Sequence, residues 1–368
     1  MLQNVIVVGA CGKVGSTLVR QIFERKDFDS KVHTNPTRII GLVSYSDYLF
    51  NSKGISQKDC LEFTARKEDF SKKPVLDKVI SIAKKTKFPK REEVVFVDVT
   101  ASKQMLSFHQ DIIRKTKFSL VTANKNPLAL CSFEEFKELT KSPARYSYRC
   151  SVMAGAESIN FVQDLKDLND SPTLIQGCFS GTLALICNEL EKGKLLSEII
   201  KEAKEKGYTE PHPRDDLNGL DVARKILILA RTAGYNVNLD DIQLEPFIPK
   251  NYFEKESIEE FIKTTKELDE EYSKKVKNAS KKGSVLRYIA ELESVNGKPK
   301  MSISLKEVPK DSVLGLLKGT SNKIVVISKA YPKSTPYVVE APGAGLEVTA
   351  QNIRRDLLSQ LLPKRKVF

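Results

Sequence analysis

The sequence predicts an α/β protein with a first domain built on a parallel sheet and an α+β second domain with a mixed sheet. Three observations support this prediction. Apolar strand-like runs alternate with amphipathic helix-like runs over residues 1–149, the first of these runs ends in a glycine-rich turn, and the strand-like runs near the end partly alternate apolar with polar side chains. Strands that alternate with helices indicate parallel pairing, whereas an alternating pattern within a strand is typical of antiparallel sheets.

The first domain, residues 1–149, contains four buried strand-like runs that are rich in β-branched residues. Helix-like segments such as "STLVRQIFER" and "PVLDKVISIAKKT" separate them. Such runs are expected of parallel strands that are covered on both faces. The four runs are "NVIVVG" (4–9), "TRIIGLVS" (37–44), "EVVFVDVT" (93–100) and "FSLVTANK" (118–125).

Residues 150–340 form the predicted second domain. "TLIQGCFSGT" predicts a strand that enters a glycine turn, and "LALICNELEKG" and "LSEIIKEAKEKG" predict helices that end at a glycine. Residues 254–282 predict one or two exposed helices, and "VLRYIAELES", "KPKMSISLKEV" and "NKIVVISKAY" predict strands. The last segment, residues 341–368, begins as a glycine-rich turn and continues as a helix.

The composition is that of an ordinary globular protein, with 40% apolar and 8% aromatic residues among 368. The six cysteines are scattered, and the N-terminus resembles a first strand more than a signal peptide. Both observations favour a cytoplasmic protein. The net charge of +13 comes from lysines spread along the chain, and only "PKRKVF" at the end is dense, so we expect no nucleic-acid partner. No apolar run approaches the length of a membrane span, so we expect no membrane partner.

The turn after the first strand, "GACGKVG", places glycines at positions 9, 12 and 15, just before a helix. Glycine lets the backbone turn sharply and approach a pyrophosphate, while the helix N-terminus offers free N–H groups and a positive dipole. This context predicts a Rossmann-type dinucleotide site. A tight turn without a ligand is the alternative. The predicted contacts are Gly9, Gly12, Lys13, Val14 and Gly15.

The second strand ends in "GLVSYSDY", which bears on the choice of cofactor. NAD-binding proteins commonly place an acid here to bind the ribose 2′-hydroxyl. In this chain Ser44 or Ser46 occupies the position, and the first acid is Asp47. Ser44 therefore favours NADP or the use of both cofactors. No arginine adjoins the serines in the sequence to hold a 2′-phosphate, so NAD remains an alternative cofactor.

A cluster of charges runs directly into an apolar helix in "TEPHPRDDLNGLDVARKILILA", residues 209–230. Asp221 and Lys225 are four residues apart, so they share one face of a helix. Lys225 adjoins "ILILA", and a partly buried lysine can give a proton to an oxygen that becomes negative during a reaction. An ordinary surface salt bridge is the alternative for this pair.

With these segments identified, the sequence resembles homoserine dehydrogenase over essentially the whole chain, above all the dehydrogenase half of the bifunctional aspartokinase–homoserine dehydrogenases. The resemblance implies reversible NAD(P)H-dependent reduction of L-aspartate 4-semialdehyde to L-homoserine in threonine, methionine and isoleucine biosynthesis. It also implies a homodimer formed through the second domain, without kinase or regulatory domains in this chain. The matching blocks are "GYTEPHPRDDLNGLDVARKILILAR" (207–231), "VTANK" (121–125), "FSGTL" (179–183), "VLRYIA" (285–290) and "GAGLEVTA" (343–350).

The resemblance implies roles for individual residues. Lys225 would be the catalytic acid/base, Asp221 would orient it, and Lys125 would contact cofactor and substrate and share the proton transfer. Gly345 would contact the cofactor and so return residues 341–368 to the first domain. The implied substrate contacts are Glu210, Asp216 and Thr182, and the further cofactor contacts are Thr100 and Lys125.

One motif departs from the family. After the nucleotide-binding domain the family has E/D-x-x-V-G-A-G-L-P, whose acid and three backbone carbonyls bind a monovalent cation. This chain has "RCSVMAGAE", with Arg149 in place of the acid. A guanidinium cannot ligate a cation and repels one nearby. We therefore expect no metal, with Arg149 bonded to the carbonyls of Val152, Ala154 and Ala156. Rescue of the site by Glu157 is the alternative.

Two other functions stay open at this point. An aspartate semialdehyde dehydrogenase would share the glycine loop and the substrate, but it needs a cysteine nucleophile, and none of the six cysteines has a convincing histidine partner in the sequence. A homologue with a changed substrate, or a non-catalytic NADPH-binding module, is the other possibility, and the altered cation motif is its main support.

Overall fold

The computed structural model describes residues 1–33, 36–254 and 257–360. It divides into two units: unit 1 is Met1–Gly155 with the chain from Ala344 onward, and unit 2 is Ala156–Gly343. Each unit contains a six-stranded sheet with both parallel and antiparallel pairs. The predicted α/β class with a mixed second sheet is therefore confirmed. The basic run "PKRKVF" lies outside the described residues.

The sheet of unit 1 has the order β3-β2-β1-β4-β5-β6. All its pairs are parallel except β2 with β3, which is antiparallel. This is the order of a doubly wound nucleotide-binding sheet, with one short antiparallel edge strand. The sequence did not predict β3, because three residues carry too little pattern. The strands are β1 (Leu2–Val8), β2 (Thr37–Val43), β3 (Tyr48–Phe50), β4 (Glu92–Asp98), β5 (Ser119–Thr122) and β6 (Tyr146–Ser147).

Two of the helices of unit 1 begin at a side-chain cap that the local sequence supplies. Ser56 accepts a hydrogen bond from the backbone N–H of Asp59, and Ser132 forms a capping box with Glu135. The apolar faces of the helices of unit 1, for example at Leu18 of the first helix, are buried in the core with the sheet. The helices are α1 (Lys13–Glu24), α2 (Gln57–Thr64), α3 (Leu76–Lys85), α4 (Leu106–Lys115), α5 (Asn126–Ala129) and α6 (Phe133–Thr140).

The sheet of unit 2 has the order β12-β11-β7-β9-β10-β8, and its pairs are antiparallel except β8 with β10. The long β9–β10 hairpin turns at Asn296–Gly297, where both residues have positive φ. Asn-Gly is the preferred pair for such a two-residue turn. The strands are β7 (Leu174–Cys178), β8 (Ile242–Leu244), β9 (Ser284–Val295), β10 (Lys298–Pro309), β11 (Ser321–Ile327) and β12 (Tyr337–Pro342).

One helix of unit 2 is part of its core. In α11, residues 226–230 have no exposed surface. Residues 254–282, predicted as one or two helices, contain α12 and α13. Within the described ranges, no helix is long and apolar enough to cross a lipid bilayer. The helices are α7 (Ser158–Asp167), α8 (Gly181–Glu191), α9 (Leu196–Glu205), α10 (Arg214–Leu217), α11 (Leu220–Thr232), α12 (Ile258–Thr264) and α13 (Asp269–Lys281).

The last helix, α14 (Leu346–Ser359), belongs to unit 1, where Ile353 is fully buried in the core. Asn352 donates a hydrogen bond to the carbonyl of Ala154 (2.8 Å), and Arg355 donates one to the carbonyl of Gly155 (2.8 Å). These bonds hold the chain in unit 1 up to Gly155. The first boundary between the units therefore falls after Gly155, six residues later than the predicted 149. The second boundary falls after Gly343, three residues later than the predicted 340.

Candidate active site

The glycine loop of unit 1 is closely packed. Gly9 has a φ of +87°, and a Cβ added there would lie 2.9 Å from Cγ2 of Thr100. A Cβ added at Gly15 would lie 2.2 Å from the carbonyl oxygen of Gly9, and Gly12 donates to that same oxygen (3.1 Å). Positions 9 and 15 therefore require glycine, and α1 begins at Lys13 with no side-chain cap. The uncapped first turn leaves backbone N–H groups for an anion.

Predicted cofactor-binding residues follow the carboxyl ends of adjacent parallel strands. Gly9 comes directly after β1, Thr100 follows β4, and Lys125 follows β5 and caps α5. Ligands of doubly wound sheets bind at this edge. Gly345 precedes α14 with a φ of +148°, and nearby Glu347 accepts a bond from Gln21 of α1 (2.7 Å). The start of α14 therefore lies beside α1.

The end of β2 differs from the sequence-based expectation. The hydroxyl of Ser44 accepts from the backbone N–H of Asp47 (3.0 Å), so it is already used within the β2–β3 turn. The chain after α2 folds back and brings the guanidinium of Arg66 into an ion pair with Asp47 and over the ring of Phe63, 4.7 Å from its centroid. An arginine does stand near Ser44, although the adjoining sequence contains none.

In unit 2 the ammonium of Lys225 is almost buried, with 8% of the residue exposed. It donates to the carbonyl oxygen of Phe179 (2.6 Å) and pairs with the carboxylate of Asp221 (2.8 Å). Asp221 itself is 37% exposed. The pair is therefore not a surface salt bridge. It fixes a charged nitrogen between α11 and the turn that joins β7 to α8.

The predicted substrate-binding residues Thr182 and Asp216 are in contact. The hydroxyl of Thr182 lies 2.8 Å from Oδ1 of Asp216 and 2.7 Å from the carbonyl oxygen of Tyr208. Glu210 contributes its backbone N–H to Oδ2 of Asp216 (2.8 Å), while its side chain is exposed. Burial raises the pKa of Asp216, the two hydrogen bonds oppose this rise, and the charges of Glu210 and Asp221 add to it.

The segment that departs from the family motif has its own ion pairs. Nε of Arg149 lies 3.6 Å from Oδ1 of Asp356, a fully buried acid of α14. Burial raises the pKa of Asp356, and Arg149 and Arg355 oppose that shift. Among the described residues, the prediction that Arg149 bonds to these backbone carbonyls is wrong. The oxygen of Val152 accepts from Gly155, that of Ala154 from Asn352, and that of Ala156 from Ser158.

The six cysteines are free, and five of them are buried. Burial raises the pKa of Cys11 to about 11 and of Cys60, Cys178 and Cys187 to about 12, and it places the pKa of Cys150 well above the usual range. Because the thiolate is the nucleophile, these five groups are poorly suited to covalent catalysis. The described residues also contain no group of three or more His, Cys, Asp or Glu side chains that could hold a metal ion.

Comparison with known proteins decides the family. A family model described as homoserine dehydrogenase matches residues 159–358, more than half of the chain. The chain belongs to the homoserine dehydrogenase family. It is 36% identical over 362 residues to a bifunctional aspartokinase/homoserine dehydrogenase of Buchnera aphidicola, which covers 95% of this chain and 42% of that protein. A chloroplastic bifunctional aspartokinase/homoserine dehydrogenase 1 of Arabidopsis thaliana is 34% identical and covers 94% of this chain and 37% of that protein.

Solved structures share the fold. A Candida auris protein of unknown function is 26% identical, with a TM-score of 0.84 over 98% of both chains. A hyperthermophilic archaeal homoserine dehydrogenase in complex with NADPH is 19% identical, with a TM-score of 0.70 over 100% of both chains. The resemblance found in the sequence is thus confirmed. The chain spans about two fifths of the length of the bifunctional relatives it matches.

The sequence reasoning missed several polar groups beside the candidate residues of each unit. Arg66 was missed because only the fold brings it to Asp47, and the carbonyl of Phe179 was missed because only the fold brings it to Lys225. Asp98, His109 and Asn124 were also missed, although an acid inside the apolar run "VVFVDV" and a histidine on an apolar helix face were available signals.

We predict that Gly15→Ala weakens cofactor binding. The new Cβ would lie 2.2 Å from a backbone oxygen and 2.8 Å from Cα of Ala10, so the loop or α1 must shift. Overpacking of this kind costs about 1–3 kcal/mol in stability. NADPH fluorescence titration and a thermal melt measure the two effects. Ser16→Ala is the control, because it lies in the same turn and adds no atoms, and it should bind NADPH like the wild type. If Gly15→Ala also bound NADPH as tightly as the wild type, the glycine-loop assignment would be contradicted.

Proposed function

We propose that the chain is a homoserine dehydrogenase that reversibly reduces L-aspartate 4-semialdehyde to L-homoserine with NADPH or NADH. One observation supports this reaction above the others: the ammonium of Lys225 is held in place by Asp221 and Phe179 at the edge of an apolar helix. Such a group can supply the proton that a carbonyl oxygen needs when it is reduced. Family membership supplies the substrate of the proposal.

The residues of unit 1 fit a dinucleotide. The glycine loop has no room for a side chain at positions 9 and 15, and the first turn of α1 presents backbone N–H groups to a pyrophosphate. We propose that Gly9, Gly12, Lys13, Val14 and Gly15 hold the pyrophosphate, with Ser44, Thr100, Lys125 and Gly345 as further contacts. When bound, the reduced nicotinamide supplies a hydride to the aldehyde carbon. A structural neighbour bound to NADPH adds support for this cofactor.

Lys225 has a defined task in this proposal. An ammonium has three N–H donors, and in the described structure Phe179 and Asp221 engage two of them. We assign the third to the aldehyde oxygen. As that oxygen gains negative charge it takes the proton from Lys225, and Asp221 keeps the amine oriented. In the reverse direction, the amine removes the proton of the homoserine hydroxyl. Lys125 shares in positioning the reacting groups.

The substrate's α-ammonium needs carboxylates. Asp216 is held by Thr182 and by the backbone of Glu210, so its orientation is fixed before substrate arrives. Glu210 carries an exposed carboxylate beside it. We propose that Asp216 and Glu210 bind the ammonium and that Thr182 keeps Asp216 in place.

Compartment and assembly complete the proposal. Six free cysteines fit a reducing environment, so we propose a cytoplasmic protein. We also propose a homodimer with small-molecule substrates and without nucleic-acid or membrane partners. Sedimentation analysis of the purified protein would show the oligomeric state directly.

We predict that Lys225→Ala lowers kcat for homoserine oxidation about 10²- to 10⁴-fold, the usual contribution of a positioned acid/base. The assay is NADP or NAD reduction with L-homoserine at alkaline pH, with folding checked by circular dichroism. Lys274→Ala is the matched control, because Lys274 also pairs with an acid four residues earlier but is exposed.

Near-native turnover by folded Lys225→Ala would refute the assigned role. Iodoacetamide treatment of the wild type separates this reaction from one with a cysteine nucleophile. Five cysteines are buried and the pKa of Cys11 is raised, so alkylation should leave homoserine oxidation unchanged. NADPH binding without turnover of homoserine would instead favour a homologue with another substrate or a binding module.

We propose that the Asp47–Arg66 pair lets the protein use both cofactors and favours NADP. A carboxylate suits the ribose hydroxyls of NAD, while a guanidinium suits the 2′-phosphate of NADP. Arg66 is 53% exposed at its side chain, so a phosphate can reach it. This pair, and not Ser44 alone, would set the preference.

Arg66→Ala should raise KM for NADPH about tenfold, the equivalent of one charge-assisted hydrogen bond of at least 1.4 kcal/mol. KM for NADH should change little. Lys72→Ala, which removes another exposed charge of the same unit, controls for general electrostatics. A similar change with both cofactors would exclude Arg66 as the phosphate contact.

We also propose that residues 149–157 bind no monovalent cation. Arg149 places a permanent positive charge here and pairs with Asp356, and the carbonyls of Ala154 and Gly155 already accept from Asn352 and Arg355. Turnover should therefore be equal in sodium, potassium and choline chloride at the same ionic strength. Activation by sodium or potassium over choline would show that Glu157 or the backbone still holds a cation.

A further inference from the structure

Asp98, the last residue of β4, carries a carboxylate with no exposed surface. Oδ1 accepts the backbone N–H of Thr100 (2.9 Å), and Oδ2 accepts Nδ2 of Asn124 (3.2 Å). Nε2 of His109, from α4, lies 2.9 Å from the same Oδ2. A buried carboxylate is costly unless it is bonded on several sides, and three different segments meet at Asp98 to do so.

His109 connects Asp98 to the far edge of the sheet. It is also fully buried, and its Nδ1 lies 2.8 Å from the hydroxyl of Tyr146 on β6. Because a carboxylate oxygen accepts, Nε2 of His109 is the donor to Asp98, and Nδ1 forms the second hydrogen bond of the ring with the hydroxyl of Tyr146. Both ring nitrogens are then satisfied, and the ring orientation is fixed.

Asn124 extends the same network to the loop after β5. Its Nδ2 also lies near Oγ1 of Thr100 (3.2 Å) and the carbonyl of Ser102 (2.9 Å), and its Oδ1 accepts the N–H of Asn126 (3.0 Å). Lys125 lies between these two asparagines. The loops after β4 and β5 are thus joined to each other and, through Asp98, to His109.

We infer that Asp98 and His109 are positioning residues that hold the loops of Thr100 and Lys125 in the geometry needed for cofactor binding and hydride transfer. This inference rests on the proposed function for the roles of Thr100 and Lys125. The side chain of His109 acts on these loops through the carboxylate of Asp98. The same logic holds for histidines that bind metals, whose orientation depends on a carboxylate behind them.

The geometry requires a histidine and not only a buried side chain. An apolar residue at 109 would fill the space but leave Oδ2 of Asp98 without its donor from α4. The carboxylate would then turn toward other donors, and the N–H of Thr100 and the amide of Asn124 would move with it. Displacements of about 1 Å among positioned groups can lower a rate about 10²-fold.

The test compares His109→Leu with His109→Gln. The leucine variant should raise the Kd for NADPH, measured by fluorescence, and lower kcat for homoserine oxidation, with a combined effect on kcat/Kd of about tenfold to 10²-fold. The glutamine amide can still donate to Asp98, so His109→Gln should recover most of this loss. Ile112→Val is the matched control, because Ile112 is a fully buried residue of the same helix and is not among the partners of Asp98.

The outcomes separate positioning from stability. If His109→Leu lowers the melting temperature but leaves Kd and kcat at wild-type values, the inference is wrong. It is also wrong if Ile112→Val causes the same functional loss or if His109→Gln recovers none of it. Wild-type protein that binds NADPH but does not oxidise homoserine would refute the proposed function; the NADPH affinities of the variants would still decide whether His109 positions the cofactor loops.

Discussion

The candidate catalytic centre depends on keeping one ammonium group, that of Lys225, charged within a helix whose next five residues have no exposed surface. A lone buried charge costs several kcal/mol, so it must find partners. Asp221 supplies one from the same helix, and the carbonyl of Phe179 supplies the other from the β7–α8 turn. This second bond ties α11 to the turn that directly precedes α8, the helix whose first turn carries Thr182. Hydrogen bonds therefore connect the proposed proton donor, Lys225, and the proposed substrate-binding acid, Asp216, to neighbouring residues, Phe179 and Thr182.

In unit 1, backbone and side-chain groups from several strands meet at one edge of a sheet. Parallel strands achieve this because their carboxyl ends lie together. The loop after β1 needs glycines for close approach, and the loops after β4 and β5 need Asp98 and Asn124 to fix their polar groups. Steric closeness thus shapes the first loop, and hydrogen bonds shape the other two.

The sequence predicted most of the fold and part of the site, for physical reasons that differ among residues. Buried parallel strands, the glycine loop and the Asp221–Lys225 spacing are local patterns, so they could be read directly. The ion pair of Arg66 with Asp47 joins residues nineteen positions apart, and that of Arg149 with Asp356 joins residues 207 positions apart. The partners of these two arginines depend on how loops pack in the folded chain, and the apolar–polar periodicity of the sequence does not predict that packing. The expected bonds of Arg149 to carbonyls failed for this reason, because Arg149 pairs with Asp356 of α14, and Asn352 of the same helix bonds to the oxygen of Ala154.

The two aspartates of the central block differ in what balances their charge. Asp221 faces the protein's own ammonium, whereas Asp216 is bonded to a hydroxyl and a backbone N–H, and burial raises its pKa. On the proposed function, an arriving α-ammonium stabilises the ionised form of Asp216, so its pKa must fall on binding. By linkage, the affinity for that ammonium is full above the raised pKa of the free protein and declines as the pH falls through it. Burial of the Asp216 carboxylate is unfavourable, and on the proposed function the ammonium of the substrate offsets that cost. A neutral polar group would offset less of it, so Asp216 favours a cation.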